Sequence, residues 1–252
     1  MNVVTYLINL DGSAERLARA TEQLNAVNWP FERFTAYDGR GKDLSHFEHY
    51  DDKQARQFLG RSLLNAELGC YLSHYGCAEK FLSTDADYLV VLEDDMKISA
   101  DFKEKIDQVL HYLAEQPQLD WYLMNIAAKK KKFAKDIHSF DQTSLWHAYY
   151  FPIRGLGLIW SRQGAAEFLR EGRRITAPVD VFFQNWLSQN AKGLAVWPAL
   201  VKPAGLDSDI LGTVAAEGIA RKHKENRDAS YDFKKQKRMW KDRLYAFKHL
   251  YF

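Results

Sequence analysis

The sequence predicts an α/β domain with a single, mostly parallel central sheet flanked by helices. The first forty residues read as strand, helix and strand, which is the opening of a βαβ unit. A later strand, within residues 87–95, is apolar until it stops on acidic side chains, as buried parallel strands do at the edge of a sheet. The length of 252 residues and the hydrophobic fraction of 46% suffice for one such domain with a sizeable core.

Apolar runs of strand length alternate with stretches of helical period along the chain. We expect strands at residues 3–10, 31–36, 87–95, 121–126, 146–152, 157–160 and 194–197. We expect helices at residues 14–25, 66–83, 102–115, 161–170, 178–189 and from 231 onward. Residues suited to opening helices are Ser13, Asn65, Ser161 and the segment Pro178-Val-Asp180. The strands at 146–152 and 157–160 are expected to form a β-hairpin around Arg154-Gly155.

Charge is unevenly distributed along the chain. The net charge is +2, but residues 221–252 hold 11 lysines and arginines against 4 acids, so they carry +7 and residues 1–220 carry −5. We therefore expect a main domain, 1–220, and a basic amphipathic helical extension, 221–252, that meets an anionic partner. The large side chains on one face of this extension are Trp240, Leu244, Phe247 and Tyr251. This face either lies on an anionic membrane or packs on the domain.

The cysteines and the N-terminus predict a reducing, cytoplasmic compartment. Cys70 and Cys77 are about two helical turns, roughly 10 Å, apart, which is too far for a disulfide, so we expect reduced core thiols. The N-terminus lacks a basic signal region, and no window approaches about 18 apolar residues, which predicts a soluble or peripheral cytoplasmic protein. The sequence has no Rossmann glycine fingerprint and no P-loop lysine motif, and we expect no nucleic-acid partner.

The strongest chemical signal is the acidic end of the strand at 87–95, where Glu93, Asp94 and Asp95 follow four apolar residues. Open α/β sheets bind ligands at the carboxyl ends of their strands. Three acids there repel one another, and carboxylate oxygens suit Mg or Mn. Glu93 and Asp95 could bracket one ion, since alternate side chains of a strand point the same way, while Asp94 contacts a ribose or the backbone. Alternatively, the acids form a solvated strand end or a helix cap.

Other candidate residues have both a functional and a structural interpretation. His74 precedes the acidic strand and could donate to a phosphate, hold an acid or be structural. Arg16 follows the first strand and is either a diphosphate clamp or a surface charge. Asp38-Gly39 ends the second strand, where a nucleotide could bind, or is only a turn. Asp180 either caps its helix or acts as the general base for an acceptor hydroxyl.

The candidate residues lie in segments with a characteristic order. These segments are Tyr6-Leu-Ile-Asn-Leu-Asp11 with Arg16, Pro30-Phe-Glu-Arg-Phe34 with Tyr37-Asp-Gly39, Glu67-Leu-Gly-Cys-Tyr-Leu-Ser-His74, Val90-Val-Leu-Glu-Asp-Asp95 and Gly155-Leu-Gly-Leu-Ile-Trp-Ser161 with Gly164-Ala-Ala. Together they resemble glycosyltransferase family 25, the lipooligosaccharide galactosyltransferase group that also includes collagen galactosyltransferases. The match runs from residue 3 to about residue 210, with Ser208 as its last candidate site.

The resemblance implies a GT-A-like nucleotide-diphospho-sugar transferase fold and an inverting reaction. Glu93-Asp-Asp95 would stand where such enzymes keep an Asp-x-Asp metal motif, with Glu in place of the first Asp. Asp95 and Glu93 would hold the divalent cation, Mn or Mg, and Asp180 or a nearby acid such as Glu93 would take the acceptor proton. The residues expected to contact nucleotide or substrate are Asn9, Leu10, Arg16, Asp38, Gly39, His74 and Asp94.

The resemblance also implies a donor, an acceptor and a location. The donor would be a UDP-sugar, most commonly UDP-galactose, and the acceptor a lipooligosaccharide or lipopolysaccharide. The enzyme would be cytoplasmic, peripheral on the inner face of a bacterial inner membrane if the basic extension binds it. Two alternatives stay open: a nucleotide-sugar hydrolase or nucleotidyltransferase that uses the same acids, and a catalytically inactive glycan- or membrane-binding protein.

Overall fold

The computed structural model describes residues 1–205 and 227–252. Its strands are β1 (Val3–Asn9), β2 (Glu32–Thr35), β3 (Tyr88–Glu93), β4 (Met96–Ile98), β5 (Leu123–Asn125), β6 (Ala134–Phe140), β7 (Thr143–Ala148), β8 (Gly157–Ser161), β9 (Gly193–Trp197) and β10 (Val201–Pro203). Its α-helices are α1 (Ala14–Ala26), α2 (Asp52–Leu59), α3 (Asn65–Leu82), α4 (Phe102–Ala114), α5 (Arg162–Glu171), α6 (Val179–Asn190) and α7 (Tyr231–Tyr251). A 3₁₀ turn covers Leu44–His46.

Eight of these strands form one sheet in the order β2-β1-β3-β8-β5-β9-β7-β6. β1 lies parallel between β2 and β3, and β5 lies parallel to β9. β8 and β7 run against their neighbours, so six of the eight strands in the described ranges point the same way. β4 and β10 pair antiparallel in a separate ribbon. The predicted α/β fold with a mostly parallel central sheet is confirmed.

Strand β3 lies at the centre of the core because it is apolar and covered on both faces. Residues 89–92 are fully buried. Leu89 and Val91 face a cluster that includes α3, α5 and α6, whereas Val90 and Leu92 face one that includes α1 and α4. Burial of each aliphatic side chain contributes roughly 1.5–3 kcal/mol. The strand is therefore a firm support for the acids at its end.

The expected β-hairpin between residues 146–152 and 157–160 is wrong. β7 pairs instead with β6 and β9, while β8 inserts antiparallel between β3 and β5. Strand β6 was not predicted because this edge strand is largely exposed and therefore lacks an apolar run. The true hairpin joins β6 to β7 through the residues around Asp141, which has a positive φ of 48°.

The helices begin close to the predicted residues, but only some of those residues make the capping hydrogen bonds. Ser161 caps α5, and its hydroxyl accepts a backbone N–H of the first turn. Ser13 occupies the N-cap of α1 but makes no side-chain capping hydrogen bond. Asn65 is the first residue of α3 and not its cap, because Leu64 holds that position. The Glu67 carboxylate accepts the Leu64 N–H instead, at 2.9 Å.

Helix α7 packs on the domain through a face that the sequence pattern did not indicate. Asp242 and Ala246 are buried against the body, and the Asn185 side-chain amide of α6 donates to Asp242 Oδ1 at 2.6 Å. The aromatic face points away from the body. Its members are exposed by 65% at Trp240, 55% at Leu244, 44% at Phe247 and 64% at Tyr251. The extension is thus docked while its apolar face stays uncovered by any described residue.

Two predictions fall outside the described residues, namely the domain boundary between residues 220 and 221 and the candidate site Ser208. Among the described helices, none is both long and apolar enough to cross a membrane.

Candidate active site

The acids after β3 lie at the carboxyl edge of the parallel strands, as the sequence predicted. Asp94 and Asp95 form a tight turn that leads directly into β4. β4 is held by β10, and the Ala204 N–H donates to the Asp95 carbonyl oxygen at 2.8 Å. Strand β10 and the residue that follows it therefore hold the acidic turn in place.

Asp94 joins a buried polar network beneath the cleft. The Asn9 side-chain amide donates to Asp94 Oδ2 at 2.6 Å, and Arg16 Nη1 lies 3.4 Å from Asp94 Oδ1. Asn9 also accepts a hydrogen bond from Arg33 Nε at 2.9 Å. Asn9 is 2% exposed, so it supports the acidic turn from below. Arg16 is a partner of Asp94 at the cleft and not an isolated surface charge.

His74 holds Glu93 in place. The imidazole Nε2 is 3.1 Å from Glu93 Oε1, and the Cys70 Sγ is 4.0 Å from the same oxygen. His74 is fully buried, and its Nδ1 has no hydrogen-bond partner among the described residues. Gly155 lies over this pair, and a Cβ there would be 3.2 Å from Glu93 Oε1. Of the roles weighed for His74, the structure shows contact with an acid.

Asp95 has the environment of a cation ligand. Its Oδ1 is buried without a hydrogen-bond partner among the described residues. Burial, followed by the charges of Glu93 and Asp94, raises the pKa of Asp95 to about 6. A buried carboxylate in this situation is stabilised by a cation, and oxygen donors suit Mg or Mn. The residues present therefore fit the divalent cation that the fold family implies.

Glu93 also belongs to a second donor set. One ligand atom from each of Cys70, His74 and Glu93 lies within 4.8 Å of the others. Sulfur, imidazole and carboxylate together suit a borderline ion such as zinc better than magnesium. The sequence paired Glu93 with Asp95 alone and missed this grouping.

A first pocket opens between the ends of β1 and β2 and helix α3. Five predicted contact residues line it: Leu10, Arg16, Asp38, Gly39 and Asp94. Tyr37 lines it too; the residue is 41% exposed, and Lys42 Nζ lies 4.1 Å from its ring centroid. Sequence reasoning missed Tyr37 as a site residue, although it stands directly before the Asp-Gly pair. An exposed aromatic ring at a pocket wall can stack on a planar base.

Close backbone contacts shape this pocket. A Cβ on Gly69 would lie 2.4 Å from the Tyr37 carbonyl oxygen, and one on Gly39 would lie 2.0 Å from the Asn65 carbonyl oxygen. The Tyr37 N–H donates to the Ser73 hydroxyl at 2.8 Å, which donates to the Gly69 carbonyl. The Gly-Cys-x-x-Ser-His spacing therefore lets residues 37–39 approach the backbone of α3, with Cys70 and His74 directed towards Glu93.

The carboxylate of Asp38 is paired within its own turn. Arg40 donates to Asp38 through Nε at 2.8 Å and Nη2 at 2.6 Å. The hydrogen bond from Arg40 lowers the pKa of Asp38. Asp38 is thus an ionised carboxylate at the rim of the first pocket.

A second pocket adjoins the first and contains Asp180. The two pockets share Cys70, Glu93 and Asp95 in their walls. Asp180 is the second residue of α6, behind the N-cap Pro178, and its Oδ1 accepts the Val181 N–H at 2.7 Å. Burial, with a smaller effect of the Glu93 charge, raises the pKa of Asp180 to about 6. Asp180 is therefore not the N-cap of α6, although it accepts an N–H of the first turn, and it lies in the wall of the cleft.

The expectation of two core thiols is correct for Cys77 and wrong for Cys70. Cys77 is fully buried, whereas Cys70 is partly exposed in the walls of both pockets. Burial raises the pKa of the Cys70 thiol, which is therefore neutral at physiological pH. Helical spacing from His74 could have indicated this position, because residues four apart share a face.

The fold and the cleft define an α/β protein with a cleft lined by acidic side chains at the carboxyl edge of its sheet. Residues 2–183 match the sequence model of Glycosyltransferase family 25 (LPS biosynthesis protein), and the chain belongs to this family.

Relatives with this sequence pattern include two procollagen galactosyltransferases. Procollagen galactosyltransferase 1 of Danio rerio is 29% identical over 188 residues, covering 70% of this chain and 30% of the relative. Procollagen galactosyltransferase 2 of Homo sapiens is 22% identical over 218 residues, covering 79% and 34%. The chain thus spans about a third of the length of these curated relatives.

The similarity to solved structures is lower than the similarity to these sequence relatives. TarS 1–349 of S. aureus has a TM-score of 0.46 at 12% identity, covering 94% of this chain and 69% of that one. The galactosyltransferase LgtC, solved with donor and acceptor sugar analogs, has a TM-score of 0.38 at 11% identity, covering 91% and 99%. We therefore describe the fold by its own strand order.

Proposed function

We propose that this chain is an inverting glycosyltransferase that moves galactose from UDP-galactose onto a lipooligosaccharide or lipopolysaccharide acceptor. The observation that carries the proposal is the shared wall of the two pockets. Glu93 and Asp95 line both the first pocket and the second pocket, which contains the partly exposed carboxylate of Asp180. Such a cleft can hold donor and acceptor on either side of one reacting carbon.

The donor nucleotide would occupy the first pocket. Tyr37 offers a ring for the base, and Gly39 leaves room for the chain to approach a ligand closely. Arg16 at the acidic turn would contact the diphosphate, since guanidinium groups bind phosphate oxygens in pairs. Galactose as the transferred sugar is supported by the similarity to procollagen galactosyltransferases.

Asp95 and Glu93 would hold the divalent cation. When bound, this ion would neutralise charge on the diphosphate and so improve UDP as a leaving group. His74 keeps the Glu93 carboxylate oriented towards the cleft through its 3.1 Å contact. The buried Asn9–Asp94 pair keeps the turn itself in position.

Asp180 would act as the general base. Its pKa of about 6 leaves it mostly ionised at neutral pH, yet basic enough to accept a proton. The acceptor oxygen would bond to the anomeric carbon as the bond from that carbon to the β-phosphate oxygen breaks. The hydroxyl proton passes to Asp180, the electron pair leaves with UDP, and the sugar configuration inverts. Glu93 is the alternative proton acceptor.

The decisive experiment measures UDP release from a panel of UDP-sugars, with and without Mn²⁺ and a lipooligosaccharide-derived acceptor. Acceptor-dependent release from UDP-galactose, with a new glycan as product, is the expected result. Release of free sugar without acceptor would instead identify a hydrolase, and no release from any donor would favour an inactive binding protein. Asp107→Asn, at a partly exposed acid on α4 that pairs with Lys103 outside the cleft, is the control for Asp95→Asn and Asp180→Asn.

We also propose that α7 lies on an anionic bilayer, at the cytoplasmic face of the membrane that carries the acceptor. Support comes from the uncovered aromatic face of α7 and from the basic residues along the same helix. Phe233, 69% exposed, extends this face by two turns. Such a helix binds by apolar insertion and by charge.

Vesicle flotation tests the membrane proposal. Trp240→Ala with Phe247→Ala should lose binding to vesicles containing phosphatidylglycerol, with unchanged UDP release in solution. Neutral phosphatidylcholine vesicles are the control and should bind weakly. Equal binding of the variant and the parent protein to anionic vesicles would refute the role of this face.

A further inference from the structure

A third groove adjoins the second pocket and has the opposite charge. The two share Ile153 and Arg154, so the groove opens directly beside the cavity that contains Asp180. Its space, including the part open to solvent, is about 1070 Å³. Six of its lining side chains are cationic: Lys129, Lys130, Lys132, Arg154, Lys235 and Arg238. No carboxylate lines it among the residues that the structure describes.

These cations come from three separate parts of the chain. The four-lysine loop at 129–132 forms one wall, the segment after Tyr150 a second, and the N-terminal half of α7 a third. Loop lysines alone would be consistent with simple solvation. Lys131 differs from the other three lysines of the loop. Its ammonium pairs with Asp136 at 2.5 Å, and it does not line the groove. Convergence of like charges without acids creates a positive potential that attracts anions.

The floor of the groove is built from buried, hydrogen-bonded groups. Tyr150 is 7% exposed and Gln184 is 7% exposed, and the Gln184 amide donates to the Phe151 carbonyl at 2.8 Å. Arg154 is held through its backbone carbonyl, which accepts from the buried Asn125 amide at 2.7 Å. The Arg154 guanidinium is also held, because its Nη1 donates to the Ala127 carbonyl at 3.3 Å. A firm floor with a few placed polar groups is typical of a ligand-binding site.

Arg238 gives the groove a partly buried cation. Its Nη1 lies 3.4 Å from the Phe58 carbonyl oxygen, and its guanidinium carbon is 5.1 Å from the Phe58 ring centroid. Burial lowers the pKa of Arg238, with Asp242 acting in the opposite direction. A desolvated guanidinium gains more from an anionic ligand than a solvated lysine does.

We infer that this groove binds an anionic group, phosphate or carboxylate, on the acceptor glycan, next to the sugar whose hydroxyl reaches Asp180. The inference rests on the proposed function, because it names the substrate class of that cleft. The acceptor would lie across Ile153 and Arg154, with its reacting end in the acidic pocket and its charged sugar in the basic groove. The opposite charges of the two compartments would fix the direction in which the acceptor enters.

The test compares Lys130→Gln with Lys235→Gln, made together, against Lys131→Gln from the same loop. Acceptors are a phosphorylated, a uronate-bearing and a neutral oligosaccharide of equal length. We expect the double variant to raise the acceptor KM about tenfold or more for one or both anionic glycans, and not for the neutral one. Donor KM and thermal stability should stay unchanged. The phosphorylated and uronate arms identify which anion the groove takes.

Direct binding without turnover separates this inference from the proposed function. Calorimetric binding of an anionic oligosaccharide that is lost in the double variant and kept in Lys131→Gln supports the groove even if no transfer is found. Equal binding of neutral and anionic glycans, or equal effects of both sets of substitutions, overturns it even if the enzyme transfers galactose.

Discussion

The imidazole Nε2 of His74 lies 3.1 Å from Glu93 Oε1, and this contact joins the middle of helix α3 to the last residue of strand β3. His74 is fully buried while Glu93 is partly exposed to the cleft. The histidine therefore has no direct access to a bound substrate. We expect it to affect the reaction through the carboxylate that it orients.

We expect His74→Ala to lower kcat about 100-fold with little change in donor KM, because Glu93 would lose its orientation. His74→Gln, whose amide can still donate to Glu93, should recover a substantial part of kcat. Steady-state kinetics of both variants check this prediction. His111→Ala, an exposed histidine on α4, is the control. Equal losses in the alanine and glutamine variants would instead indicate a packing role.

Asp95→Asn should abolish Mn²⁺ binding by titration and reduce turnover by two to three orders of magnitude, since the cleft would lose its principal cation ligand. The same change should stabilise the metal-free protein at pH 7.5. The folded-state pKa of Asp95 is about 6, against an ordinary value of 3.8, so ionisation at neutral pH opposes folding. The gain should be about 1–3 kcal/mol.

The pH dependence of that stabilisation has a definite sign. A raised folded-state pKa gives stability that is present below pH 3.8 and lost as pH rises through about 6. The difference between Asp95→Asn and the parent protein should therefore shrink as pH falls towards 4. Thermal unfolding with chelator across this range measures it, and a difference that is independent of pH would contradict the assignment.

Asp180 should control the acidic limb of the activity profile. A general base must be ionised, so at saturating Mn²⁺ kcat should fall about tenfold for each pH unit below about 6, the pKa of this carboxyl. Asp180→Asn should lower kcat about 100- to 10,000-fold and remove this limb. An unchanged acidic limb in the variant would assign the proton to another group, with Glu93 the first to examine.

Gly69→Ala should lower the melting temperature and weaken nucleotide binding together. The new Cβ would stand 2.4 Å from the Tyr37 carbonyl oxygen, which forces the wall of the first pocket away from α3. Gly76→Ala on the same helix is the matched control, since its Cβ would meet only the end of the Phe34 ring, at 2.9 Å. Melting curves with and without UDP compare the two variants.

The sequence was most informative where local pattern and chemistry coincide. The apolar run at 89–92 requires burial on both faces, and the acids that follow it must emerge at the sheet edge. This logic located Asp94 and Asp95 correctly. It could not show that Asp94 is bonded to Asn9 below the cleft, because the direction of a side chain in a turn depends on its neighbours in space.

Features formed by segments that are far apart in the sequence could not be predicted from it. Strand β6 has no apolar run that would indicate a strand. Its pairing with β7 becomes visible only in the assembled sheet. The run of four lysines at 129–132 does not by itself indicate a binding site, because only the docking of α7 brings Lys235 and Arg238 opposite it. Cys70 reads as a core thiol until the adjoining pockets are known.

Helix α7 combines three tasks on three of its faces. One face packs on α6, the helix that carries Asp180, through the hydrogen bond between Asn185 and Asp242. Another completes the basic groove, and the third exposes its aromatic side chains. Truncation at the C-terminus would therefore alter the body of the domain as well as the exposed aromatic face. Shortened versions chosen for easier purification would be a poor measure of the intact protein.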